Sequence, residues 1–128
     1  MKIQLTILLL LSVNFNALAQ ADKKFTSLEE AMEVAEEVKW LELTAKETSG
    51  FFENIGRFTN LRSLYLVNCG LAGLPEEIGQ LSNLTLLNVR DNRLTDLPVS
   101  LSELKNLRVI NIRNNALNEL SPVLKALP

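Results

Sequence analysis

Leucines at Leu61, Leu84 and Leu107 each open a segment of the same pattern, and their constant spacing of 23 residues constrains this chain more than any other feature. A period of that length means a stack of one supersecondary unit, because a single unit cannot bury its own apolar face. Leu61, Leu64, Leu66, Leu71, Leu74, Ile78 and Leu81 recur as Leu84, Leu87, Val89, Leu94, Leu97, Leu101 and Leu104. The same places return as Leu107, Ile110, Ile112, Leu117, Leu120, Leu124 and Leu127, and a degenerate earlier copy runs through Val38, Leu41, Leu43, Thr48, Phe51, Ile55 and Phe58. Units spanning 38–60, 61–83, 84–106 and 107–128 therefore account for everything from Val38 onward.

The pattern L-x-x-L-x-L-x-x-N/C-x-L, followed by L-P-x-x-I/L-x-x-L-x-N, resembles that of the leucine-rich repeat family. The third unit, LTLLNVRDNRLTDLPVSLSELKN (Leu84 to Asn106), matches it nearly throughout. The resemblance implies an α/β solenoid with a parallel, concave sheet and about four repeats. It says little about a ligand, since the recurring residues are those that build the core.

Within each unit the alternation around Leu64 and Leu66, Leu87 and Val89, and Ile110 and Ile112 has the period of a strand with one buried face. Four parallel strands are expected near 40–44, 63–67, 86–90 and 109–113. In the family, an Asn or Cys at the ninth place satisfies buried backbone groups in the following turn, and here Cys69, Asn92 and Asn115 stand there. The first unit has Lys46 instead, which is costly to bury without a partner, so its turn should depart from the others. Pro75 and Pro98 suit a convex connection better than a strand interior. The last unit has Ser121-Pro122 at that place, which predicts an irregular final turn.

Ahead of the repeats, residues 20–37 read as a linker and a capping helix. Ser27 is the expected N-cap, with Glu30 as its capping-box partner. Leu28, Ala31, Met32 and Ala35 share one face, and Glu29, Glu33, Glu36 and Glu37 spread over the rest. That acidic surface is expected to be a solvated cap face rather than a cation site.

Residues 1–19 join one Lys2 to an apolar run from Ile3 to Val13 and small residues at Ala17 and Ala19, the layout of a secretory signal peptide. The apolar run falls well short of the roughly 20 residues that a membrane crossing needs. Cleavage is expected after Ala19, with Ala21 as the alternative. No cysteine near the cleavage point is available for lipid modification, so the expectation is a secreted or periplasmic protein without a stable membrane anchor.

The whole chain carries 13 Lys and Arg against 15 Asp and Glu. Residues 22–53 hold nine acids and four lysines, whereas 54–128 hold six acids and eight bases. Without a clustered basic face, nucleic acid is not an expected partner. With no histidine anywhere, the commonest general base and metal ligand is missing. Neither catalysis nor a cofactor nor a metal is expected. The lone Cys69 reads as a buried ladder residue rather than a reactive thiol. Asn83-Leu84-Thr85 has the form of a glycosylation sequon, but its central residue is core.

Side chains at the third, fifth and seventh places of each unit should project from the concave sheet. The third-place row is Trp40, Ser63, Leu86 and Val109; the fifth is Glu42, Tyr65, Asn88 and Asn111; the seventh is Thr44, Val67, Arg90 and Arg113. Aromatic and arginine side chains are the usual anchors of protein interfaces. Trp40, Glu42, Tyr65, Val67, Leu86, Asn88, Arg90, Val109, Asn111 and Arg113 are therefore the candidate site, for a protein or peptide ligand. The competing reading is a solvated sheet face, with Trp40 tucked under the cap helix. Adjacent Arg90 and Arg113 should repel, a strain that a partner's carboxylate or the neighbouring Asp91 would relieve. Asn88 and Asn111 suit a peptide backbone or a sugar, or mutual stacking.

The sequence ends at Leu127-Pro128 without a polar closing segment. Terminal repeats normally need one. Two rival expectations follow: self-association through the C-terminal unit, or membership of a longer adhesin or enzyme in which these repeats do the targeting.

Overall fold

The computed structural model describes residues 23–118 and 121–127. The expected leader, 1–19, lies outside the described residues. Five parallel strands form one sheet in the order of the chain: β1 (Lys24–Phe25), β2 (Trp40–Glu42), β3 (Ser63–Tyr65), β4 (Leu86–Asn88) and β5 (Val109–Asn111). The last four fall where the repeat predicts, in register at the repeat spacing: Trp40 opposite Ser63, Ser63 opposite Leu86, Leu86 opposite Val109. They are shorter than expected, three residues each. The run is closed at the eighth place, where Asn68, Asp91 and Asn114 take φ values of 54°, 59° and 54°. Asn and Asp tolerate this left-handed turn better than most residues, and it swings the chain out of the strand.

The expectation of four strands is corrected by β1. Lys24 and Phe25 pair with Trp40 and Leu41, inside the segment read as linker. Two residues are too few to show a period, and this strand exists because β2 offers it an edge. Phe25 is 1% exposed and closes the end of the core. The helix α1 (Leu28–Glu33) follows, and Ser27 caps it by accepting from the Glu30 N–H at 3.5 Å. Glu30 does not complete the box: its carboxylate pairs with Lys23 at 3.3 Å. A 3-10 turn, Ala35–Glu37, leads into β2. The cap is thus a whole coil of the solenoid rather than a helix alone.

The inward places are filled as the pattern demands. Leu41, Leu64, Leu66, Leu87 and Val89 are fully buried. At the N-terminal end the core turns aromatic: Phe51 and Phe58 stand where later units have leucine, with ring centroids 5.3 Å apart. The wider coil there explains the larger side chains, since its convex side is a true helix, α2 (Thr48–Glu53). Units two and three use 3-10 turns farther along, Glu76–Gln80 and Val99–Glu103, each preceded by its proline. The last unit closes with α3 (Pro122–Ala126), capped by Ser121, the irregular turn the sequence predicts. At this end Ile110 and Ile112 are only half-buried, unlike Leu87 and Val89.

Two asparagine ladders hold the turns of the coil together. Asn92 donates to the carbonyls of Leu66 (2.7 Å) and Val89 (2.8 Å), while its oxygen accepts from the N–H groups of Cys69 and Leu71, both at 3.0 Å. Asn115 donates to Val89 and Ile112 in the same way and accepts from Leu94 at 3.0 Å. Cys69 keeps the place with its thiol, directed at the Leu43 carbonyl at 3.4 Å. Burial pushes that thiol above its ordinary value, and the Glu47 charge adds to the shift, which keeps it protonated. The second ladder runs along the other border of the sheet: Asn60, Asn83 and Asn106 donate to the carbonyls of Glu36, Thr59 and Ser82 at 2.7, 2.8 and 2.9 Å. The amide of the formal sequon is therefore already engaged.

In the first unit Lys46 is exposed, and its neighbour Glu47 does the joining. One carboxylate oxygen accepts from the Thr44 N–H (3.0 Å) and hydroxyl (2.8 Å), and the other accepts from the Leu28 N–H at 2.9 Å. Burial pushes this carboxyl up, but the N–H groups of Leu28 and Thr44 and the Thr44 hydroxyl outweigh it and hold it below its ordinary value. The departure predicted from Lys46 is a carboxylate latch onto the cap.

Candidate functional site

Strands β2 to β5 present the residues at the third and fifth places of their units on one face, none of them buried. All ten expected site residues lie on it or at its border, so the repeat brings them together. Arg90 and Arg113 stand just past the ends of β4 and β5, beside the left-handed turns, and are exposed.

At the N-terminal end Trp40 and Tyr65 stack diagonally across β2 and β3, with centroids 5.8 Å apart and planes 26° from parallel. Offset stacking of this kind adds to what simple area burial supplies. Trp40 is 39% exposed and lies on the sheet, not under the cap helix. Its neighbour on the outer side is Lys24, the residue that sequence reasoning missed. The Lys24 ammonium lies 5.6 Å from the Trp40 ring centre and 5.9 Å from that of Tyr65, and it pairs with the Glu42 carboxylate. The stack is thus an aromatic shelf whose flanking charges cancel. Only the β1 pairing, which puts Lys24 opposite Trp40, reveals this neighbour.

Farther along, the third-place row becomes an apolar stripe, with Leu86 half-buried and Val109 51% exposed. Beside it, the Asn88 oxygen accepts from the Arg90 N–H at 3.3 Å, and the Asn111 oxygen accepts from the Arg113 N–H at 3.2 Å. The two asparagines stand opposite each other in register. Each turns its oxygen to its own backbone and leaves its NH2 group without a partner among the described residues. At the border, Arg90 pairs with Asp91 at 3.4 Å, and Asp91 also accepts from Asn114 at 2.7 Å. Asp91 does relieve Arg90, then, while Arg113 has no ion-pair partner among the described residues.

On the acidic cap face, Lys23 pairs with Glu30, and the Arg57 guanidinium donates to the Met32 carbonyl at 3.0 Å. No helix among the described residues is long and apolar enough to cross a membrane. On the convex side, a shallow apolar hollow of about 240 Å³ lies between the Val99–Glu103 turn and α3, lined by Val99, Pro122, Val123 and Ala126.

The profile described as a leucine-rich repeat region matches residues 38–127. The chain belongs to the leucine-rich repeat family. Among solved structures, a leucine-rich repeat protein of Leptospira interrogans is similar to it at 27% identity with a TM-score of 0.52. The match covers 82% of this chain and 33% of that one, so the chain spans about a third of its length. No curated protein matches. Leucine-rich repeats are commonly protein-interaction modules and typically non-enzymatic scaffolds.

Proposed function

We propose that this leucine-rich repeat protein is a non-catalytic binding module, exported by its leader, that takes a protein or peptide ligand on its concave face. The observation that carries the reading is the contrast between the two kinds of asparagine. Asn92 and Asn115 spend their amides on the coil, whereas Asn88 and Asn111 hold theirs outward, between an aromatic shelf and an arginine border. Polar donors aimed at solvent beside exposed Trp40 and Val109 combine the anchor and hydrogen-bonding chemistry of a protein interface.

The test is alanine substitution at Tyr65, Asn88, Arg90 and Arg113, read against partners recovered from extracellular fractions. At least one substitution is expected to cost more than about 2 kcal/mol of binding, as anchors do. Val99→Ser on the convex side, where the side chain is 69% exposed, should leave binding unchanged. Binding that survives all four alanines but falls with Val99→Ser moves the site to the convex hollow. N-terminal sequencing of exported protein checks the leader: a chain still beginning at Met1 would remove both the cleavage and the reading without a membrane anchor.

A further inference from the structure

We infer that the concave face takes a polyproline II peptide carrying an acidic residue, lying across the strands from the Trp40–Tyr65 shelf toward Arg113. The inference rests on the concave-face reading above and names its ligand class.

Spacing is the first argument. A polyproline II helix repeats every three residues, an advance of about 9.3 Å. Two strand spacings of a parallel sheet come to about 9.6 Å. A ridge of every third side chain therefore meets every second column of this sheet, Trp40 then Leu86 in the apolar row or Ser63 then Val109. An extended strand, at about 6.7 Å per two residues, drifts out of step with columns about 4.8 Å apart.

Chemistry is the second. Polyproline II leaves its carbonyls without internal hydrogen bonds and presents flat apolar rings, so the grooves that receive it combine aromatic walls with donors. The shelf supplies the walls, two rings 5.8 Å apart and held in place by the paired Lys24 and Glu42. Asn88 and Asn111 supply donors: each amide oxygen already accepts one backbone N–H, while each NH2 group has no partner among the described residues. A proline-rich backbone offers carbonyl acceptors that these free NH2 groups can meet.

Charge is the third. The Lys24–Glu42 and Arg90–Asp91 pairs cancel, which leaves Arg113 as the charged side chain of the third-, fifth- and seventh-place rows without an ion pair among the described residues. It calls for a carboxylate at that end of the ligand.

Trp40 is the only tryptophan in the chain, so its emission reports on the shelf directly. The probe is an acetylated peptide of about six prolines, long enough to cross the four strands β2 to β5, followed by two aspartates. The expected result is a saturable change in emission. A peptide with glycine and serine in place of the prolines should bind about tenfold more weakly, as should Tyr65→Ala with the proline peptide. Exchanging the aspartates for lysines should weaken binding to the unaltered protein and make no difference in Arg113→Ala. Circular dichroism confirms that each variant keeps its fold, and Val99→Ser serves as the neutral control.

Equal binding of the proline and glycine-serine peptides, or full binding by Tyr65→Ala, overturns the inference. Peptides selected from a random displayed library then separate it from the reading beneath it. Selected peptides without enriched proline that lose binding in Tyr65→Ala and Asn88→Ala leave the concave site standing and end the polyproline assignment. Selected peptides indifferent to every concave substitution end both.

Discussion

The first coil and the middle repeats reach the same solenoid step by different chemistry. In the middle, the step is made by leucines of one size and a buried amide, Asn92, that bonds back to the preceding coil as well as to its own. At the N-terminal end it is made by phenylalanines, a true helix and a carboxylate: Phe51 and Phe58 fill the coil, α2 replaces the extended convex segment, and Glu47 reaches the Leu28 N–H of the cap. The repeat is one solution to stacking coils, and a coil that must also meet a cap uses another. The two differ in what disturbs them. An amide ladder is indifferent to pH, and a carboxylate latch is not.

Core truncation is the largest lever on this contrast. Phe51→Ala should cost about 3 to 5 kcal/mol and Leu87→Ala about 2 to 5 kcal/mol, since both sites are fully buried and neither can collapse without moving a neighbouring coil. Leu86→Ala, one residue away on the concave face, should cost less than about 1 kcal/mol. Equal losses at Leu86 and Leu87 in denaturant unfolding would show that the sheet faces are exchanged. Because each coil touches only its neighbours, damage at Phe51 should show in Trp40 emission before it shows in far-UV circular dichroism. Coincident transitions would mean that the end and the middle unfold as one unit.

What was legible in the sequence is what the 23-residue period repeats. The strands at Trp40, Ser63, Leu86 and Val109 and the inward leucines follow from it, as does the assembly of the candidate side chains on one face, while the role of the ninth-place ladder was implied by the family resemblance. The border ladder of Asn60, Asn83 and Asn106 was equally periodic, but the recurrence alone did not say that each amide reaches back one coil. What was not legible occurs once. The pairing of Lys24 and Phe25 is tertiary, made by an edge rather than by a pattern, and with it went the charge that flanks the aromatic shelf. Lys46 signalled an irregular turn through what it cannot do. Nothing short of the fold shows that Glu47 is aimed at a residue 19 positions earlier.

Removing the ladder amide should be the next largest effect. Asn92→Ala strips partners from the buried N–H of Cys69 and the carbonyls of Leu66 and Val89, and each such group left unsatisfied costs about 1 to 3 kcal/mol. A total loss of about 3 kcal/mol is expected in chemical denaturation, partly recovered by Asn92→Cys, since Cys69 already serves at this place one coil earlier. Complete failure of cysteine to recover stability would mean that the Cys69 coil is held by something other than its ladder residue.

The smallest effect sharpens the contrast most, because it separates the two ends by pH. Glu47 is held below its ordinary value of 4.5. A carboxyl whose folded pKa is depressed contributes stability that is fully present above its unfolded pKa and is lost as pH falls through the folded one. Replacing the charged acceptor by a neutral one in Glu47→Gln should cost about 1 kcal/mol at neutral pH. The gap between the two proteins should then close on acidification below 4.5, as the native carboxylate takes up its proton. Glu76, held low by the Ser100 and Val99 N–H groups on the convex side, gives a loss of the same sign in both proteins and cancels in the difference. The readout that locates the effect is Trp40, whose neighbour Lys24 belongs to the cap coil that Glu47 holds. Acid should alter its emission earlier in the unaltered protein's stability profile than it alters the Leu87 core. A stability difference between the unaltered protein and Glu47→Gln that stays constant from neutral pH down through the carboxylate range would show that the charge of Glu47 does not hold the cap.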